Sequence, residues 1–216
     1  MKEINITSGE YLNNYLEKTQ EGVFIPFNEA MIEGKLSYPL FDDEFISYRA
    51  KVHNVEKSTY ALKLGIFLNI SNYVNKISKI TLWFGKDAFC IINLLTVLAY
   101  LENLKYVGKI LLNIVDDHTN KVLESNINLE PGEFKNIYLN LCKREFVEIQ
   151  YDFINIGLKD YLYITSDENH ILDYIKKNMN SMSFEELLIN VLNITGYYGL
   201  GDEQIIKMIK KVKDNK

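Results

Sequence analysis

The chain has 216 residues, 47% of them hydrophobic and 25% charged, enough to bury roughly 70% of its unfolded surface and too ordinary for a disordered, collagen-like or disulfide-stapled protein. With 24 Lys and Arg against 29 Asp and Glu the formal charge is −5, the wrong sign for a protein that neutralises nucleic-acid phosphates. No apolar run reaches the length of a membrane span, and no leader follows Met1, so a cytoplasmic protein is expected, with Cys90 and Cys142 as buried thiols in apolar helical patterns.

Residues 2–8 alternate apolar and polar, then Gly9 breaks the run and Tyr11, Leu12, Tyr15 and Leu16 recur at helical spacing, so a strand turns into a helix. Val23 to Phe27 reads as a second strand, and residues 31–40, with Gly34 and Pro39, as a loop. Asp42 and Asp43 open a helix that carries Arg49, their charge suited to the positive end of its dipole. Residues 58–77 fit both periods, and their length favours a helix.

Residues 79–85 form the clearest strand, in which Trp83 faces away from Leu82 and Phe84, and a long apolar helix follows from Asp87 to Leu104. Lys109 to Val115 is a nearly continuous apolar run, as a strand buried on both faces requires. Strands alternating with helices in this way predict an α/β fold, an open, mainly parallel, Rossmann-like sheet with right-handed crossovers. Beyond residue 120 the pattern becomes mainly helical, so residues 1–120 are expected as the α/β part and 121–216 as a helical region. Within it 121–129 reads as a short edge strand, 132–145 and 171–179 as helices, Ser183 to Glu186 as a capping box, and Asp202 as the cap of a last, lysine-rich helix. Residues 147–164 are too aromatic and irregular to assign.

Ligands of open parallel sheets bind beyond the carboxyl ends of the strands. That rule collects Ser8, Gly9 and Glu10 after the first strand, Glu29 after the second, Lys86 and Asp87 after the third, and Asp116, Asp117 and His118 after the fourth. Two carboxylates about 6 Å apart repel by on the order of 3 kcal/mol at an effective dielectric of about 20, so a shared cleft needs a compensating charge. Lys86, Arg49, a proton or a divalent metal could supply it. Asp87 is equally explained as a helix N-cap, and Asp116 with His118 as a solvated turn. Arg49 and Arg144 are the arginines, so any planar two-pronged grip on an anion comes from one of them. His53 and His170 sit at helix ends without a partner nearby in sequence and read as surface residues.

The segments Asn-Ile-Thr-Ser-Gly-Glu at 5–10, Phe-Asn-Glu-Ala-Met-Ile-Glu-Gly at 27–34 and Leu-Trp-Phe-Gly-Lys-Asp at 82–87, with Arg49 between them, resemble the bacterial family called domain of unknown function 1835. Gly9, Glu29, Glu33, Gly34, Arg49, Trp83, Phe84 and Asp87 match its motifs, and residues 199–204 resemble its closing segment. Asn5 stands where the family has His, and Gly85 and Lys86 replace a Glu-His pair, which removes both imidazoles. The resemblance implies a fold and a site without naming a reaction or cofactor.

Together these readings predict a small anionic ligand, a nucleotide or phosphorylated metabolite, bound or also transformed at the strand ends, with Arg49 and Lys86 holding it and Glu10, Glu29 and Asp87 positioning it or coordinating Mg²⁺. The rival expectations are a regulatory module using the last two helices as a helix-turn-helix, or an enzyme-like scaffold that has lost activity.

Overall fold

Apolar residues alternate along β1 (Lys2–Thr7) and β3 (Ile77–Phe84) and run almost unbroken through β4 (Lys109–Val115), and these strands form the middle of the sheet. The structure, a computed structural model, describes residues 2–116 and 119–214. Around the strands lie α1 (Glu10–Thr19), β2 (Phe24–Pro26), α2 (Asp43–Val52), α3 (Lys57–Leu68) and α4 (Ala88–Asn103). Beyond β4 follow β5 (Val122–Asn128), α5 (Phe134–Cys142), α6 (Asp152–Ile164), α7 (His170–Asn178), α8 (Phe184–Thr195) and α9 (Asp202–Asp214).

The strand order is β2-β1-β3-β4-β5; the first four are parallel and β5 runs antiparallel at the edge. This is the open, mainly parallel α/β sheet that the alternation of strands and helices predicts. The chain leaves β1 to one side for β2 and returns to the other side for β3, so the switch point lies between β1 and β3.

The two faces of the sheet are unequal. On the thinner one, Leu12 and Leu16 of α1 pack with Phe24, Trp83 and Val115, and Trp83 donates to Asn5 Oδ1 at 2.9 Å. Trp83 therefore does turn away from Leu82 and Phe84, which face the other layer. There α4 is buried on nearly every side, pressed by the sheet below and by α5 and α6 above, as its all-round apolar sequence requires.

One apolar cluster runs from Ile4 in β1 to Val212 in α9, so residue 120 marks a change of composition rather than a boundary between two cores. Glu102 at the end of α4 accepts from the backbone of Gly132, Phe134 and Lys135, satisfying the exposed donors at the start of α5. The unassigned stretch before residue 164 contains α6, whose Ile154, Leu158 and Tyr161 recur on one buried face. Residues 69–72 and 74–76 tighten into 3₁₀ turns after α3. Ser183 and Glu186 form the expected capping box. At α9, Asp202 is already the first helical residue, and Gln204 instead turns back to accept from the Gly201 N–H at 3.0 Å.

The two halves approach closely at Gly157 of α6, where an added Cβ would lie 2.5 Å from Ile91 Cγ1 and 2.7 Å from its Cβ. Gly157→Ala favours an exposed helix by about 1 kcal/mol; here overpacking wins, and the substitution should destabilise the protein by about 1–3 kcal/mol. A urea midpoint that rises in this variant would contradict the packing of α6 on α4.

Candidate functional site

The loop between β2 and α2 has little regular structure, yet it is anchored by a buried ion pair. Arg49 of α2 donates to Glu29 Oε1 at 2.6 Å, with both side chains fully buried. The same oxygen accepts from the Ala30 N–H at 2.8 Å and from His53 Nε2 at 2.7 Å, and the other oxygen accepts from the Tyr60 hydroxyl of α3. A carboxylate contact that short puts the proton on Nε2, so Arg49, 3.1 Å from that nitrogen, is its neighbour and not its donor.

Arg49 also donates to the backbone oxygens of Ala30, at 2.9 Å, and Glu33, while its Nε has no partner. From α4, Asn93 donates to the Glu29 carbonyl at 2.7 Å and accepts from the Met31 N–H at 2.9 Å. Burial on its own pushes the Glu29 carboxyl up, but the His53 hydrogen bond and the Arg49 charge outweigh it and bring it from 4.5 down to about 2. Burial, with the Glu29 charge, pushes the Tyr60 hydroxyl far above its usual range.

The structure therefore joins Glu29 and Arg49, but turns Arg49 inward. A fully buried guanidinium bonded to its own loop has no surface for a ligand, so the grip expected of Arg49 is corrected to a brace. His53 is likewise corrected, because it is a member of this network, and His170 is hydrogen-bonded to the Tyr163 hydroxyl at 3.0 Å.

The remaining strand-end residues make their contacts locally. Ser8 donates its N–H to the Trp83 carbonyl, and Gly9, at φ 139°, precedes α1 with the exposed Glu10 in the first turn. Lys86 reaches Glu124 of β5 at 3.4 Å. Asp87 caps α4 by accepting from the Cys90 N–H at 2.9 Å, and it abuts Gly199, where any Cβ would fall 2.0 Å from Asp87 Oδ1. Asp116 closes a turn on the Thr119 N–H and hydroxyl, and His118 with Asp117 lies outside the described residues. Among the described residues no three His, Cys, Asp or Glu side chains are grouped to hold a metal ion.

A cleft of about 770 Å³ opens beside the brace, between residues 32–36, the α5–α6 junction, the end of α6, and α9. Glu33 forms one wall and is fixed there by Gln204 Nε2, at 2.7 Å, and by Lys207. Lys35, Lys143, Arg144, Lys207 and Lys211 line the cleft against two carboxylates, Glu33 and Asp167. Lys211 pairs with Asp167 at 3.0 Å. Its hydrogen bond, then its charge and those of Arg144 and Lys35, hold the Asp167 carboxyl below its usual range, so these cations surround one exposed carboxylate.

Arg144 is held by neutral groups only, donating to the Leu162 carbonyl at 2.7 Å and to the Thr165 hydroxyl at 3.2 Å. In the sequence Arg144 is marked only as one of the two arginines able to grip an anion with a planar fork. Lys143 belongs to no motif, and Lys35 stands out only as the residue in place of the Pro that closes the resembled family's second motif. Comparison with family models, curated proteins and solved structures finds no match to this chain.

Because the Glu29 carboxyl is lowered on folding, the pair's stabilisation is complete above pH 4.5 and lost as the pH falls through about 2. The acid-sensitive part is on the order of 3 kcal/mol. Glu29→Gln should remove that dependence and, by leaving Arg49 buried without its counter-charge, lower stability at pH 7 by about 3–5 kcal/mol. Urea unfolding at pH 7 and in the acid range measures both effects; a wild-type midpoint at pH 7 would show that the brace carries no stability.

Proposed function

We propose that this protein binds a small anionic ligand, of the nucleotide or phosphorylated-metabolite class, in the cleft between the β2–α2 loop and the C-terminal helices. The observation that carries this reading is charge against the trend. In a chain of net charge −5, five cationic side chains meet two carboxylates around one cleft. Lys207 and Lys211 are paired with Glu33 and Asp167, which leaves Lys35, Lys143 and Arg144 without an ion-pair partner among the described residues. Three uncompensated cations around a concave site favour an anion by Coulomb attraction, and an arginine adds a planar donor fork that suits phosphate.

The backbone gives further support. Arg144 follows α5 with φ 63°, at the left-handed position where a helix commonly places glycine. Holding a non-glycine residue there costs roughly 1 kcal/mol, a penalty consistent with a side chain kept for what it binds. The resemblance to domain of unknown function 1835 fits the same reading, because Glu29, Glu33, Gly34 and Arg49 build the brace and the cleft wall. A DNA-binding use of α8 and α9 has less support, since Lys207 and Lys211 are engaged at the cleft with carboxylates of the same chain.

Inorganic phosphate, nucleotides and sugar phosphates screened by thermal shift test the proposal. At least one compound should raise the melting temperature, and Arg144→Ala should abolish the rise. Asp167→Asn should tighten binding several-fold, because it removes the carboxylate that competes for the same cations. A screen in which no anion shifts the wild-type protein, or in which Asp167→Asn binds more weakly, overturns the assignment.

A further inference from the structure

The floor of the cleft differs in kind from its rim. Ile32, Leu36, Leu141, Ile164, Leu172 and Leu200 line it, each less than a tenth exposed. Met208 adds an unbranched thioether that can adapt to whatever lies against it. A ligand that is polar all round would leave hydroxyl groups facing these side chains unpaired, which is unfavourable for every group so buried. Tyr161 is the one aromatic ring among the lining residues, so the floor offers little on which to stack a nucleobase.

Tyr161 supplies a second, independent observation. It is only 3% exposed and lines the cleft, yet its hydroxyl has no hydrogen-bond partner among the described residues. Burial raises its pKa to about 12 while the Arg144 charge pulls the other way, so the phenol is a protonated donor at neutral pH, within reach of that charge. This unpaired phenol therefore lines the cleft within the field of the cationic rim.

We infer that the cleft takes a phosphate-headed amphiphile: Lys35, Lys143 and Arg144 hold the head, the Tyr161 hydroxyl donates to it, and an aliphatic body lies on the apolar floor. This inference rests on the anion-site reading above and narrows its ligand class.

Isothermal titration of the full chain with inorganic phosphate, glycerol 3-phosphate, butyl phosphate and octyl phosphate, each below its aggregation concentration, separates the two readings. Each methylene that becomes fully buried strengthens binding about fourfold, so octyl phosphate should bind on the order of 100-fold tighter than butyl phosphate. Met208→Gln should weaken octyl phosphate several-fold and leave inorganic phosphate unchanged. Tyr161→Phe should weaken every phosphate without lowering the melting temperature, because the deleted hydroxyl lines the cleft and bonds no other group among the described residues.

If the two alkyl phosphates differ by less than about tenfold while inorganic phosphate still binds, the amphiphile inference is wrong and the anion site stands. If none of the four binds, both readings fall. Octyl phosphate that binds Arg144→Ala as tightly as wild type is adsorbing elsewhere, and that outcome also overturns the inference.

Discussion

The buried pair of Glu29 and Arg49 is the interaction on which the shape of the cleft depends. Taking two charges out of water costs several kcal/mol per ion, and attraction between them offsets that only when the remaining lone pairs and protons are also satisfied. Here the Glu29 carboxylate accepts from Ala30, Arg49, His53 and Tyr60. Those donors come from the loop itself, from α2 with its C-terminal cap, and from α3, while Asn93 ties the loop backbone to α4. A segment without regular structure is thereby held on three sides. Its next carboxylate, Glu33, meets Gln204 and Lys207 of α9, so the order imposed by the ion pair passes into the wall of the cleft.

The unequal sheet explains why the cleft lies where it does. On the side of Trp83 the smaller apolar cluster takes its helical residues from α1, with Asn5, Thr81 and Asn113 among the strand residues away from the main core. The main apolar cluster lies on the opposite face and takes in α2 to α9. α4 fills the centre of that layer, and Gly157 lets α6 approach it closely. The space between the braced loop and α5, α6 and α9 is left as a concavity with apolar walls. Its rim carries cations drawn from a loop, a helix junction and the terminal helix, each tethered to a different part of the core.

Periodicity in the chain reports local burial faithfully. The alternation of β1 and β3, the apolar run of β4 and the all-round apolar α4 each follow from which residues must avoid water. The aromatic stretch that became α6 hid its period because Tyr151, Phe153 and Tyr161 to Tyr163 crowd both faces of the helix. Charge pairing left no comparable trace. His53 reads as a surface residue because its partner, Glu29, lies 24 positions away, and Arg49 draws attention through the scarcity of arginine without revealing that it points inward. Lys35, Lys143 and Lys211 are ordinary lysines in sequence, and Tyr161 is one tyrosine among 15.

The amino-acid sequence by itself determined the class of fold, the order of strands and helices, the caps at Asp42, Asp87 and Ser183, and an overall acidic surface. These follow from contacts between neighbours along the chain and from the period of each element. Tertiary structure alone decided which arginine is buried and which lines the cleft, and that cations from three separate segments share one rim. Coulomb interaction and desolvation depend on distance through space, and folding sets that distance between residues far apart along the chain.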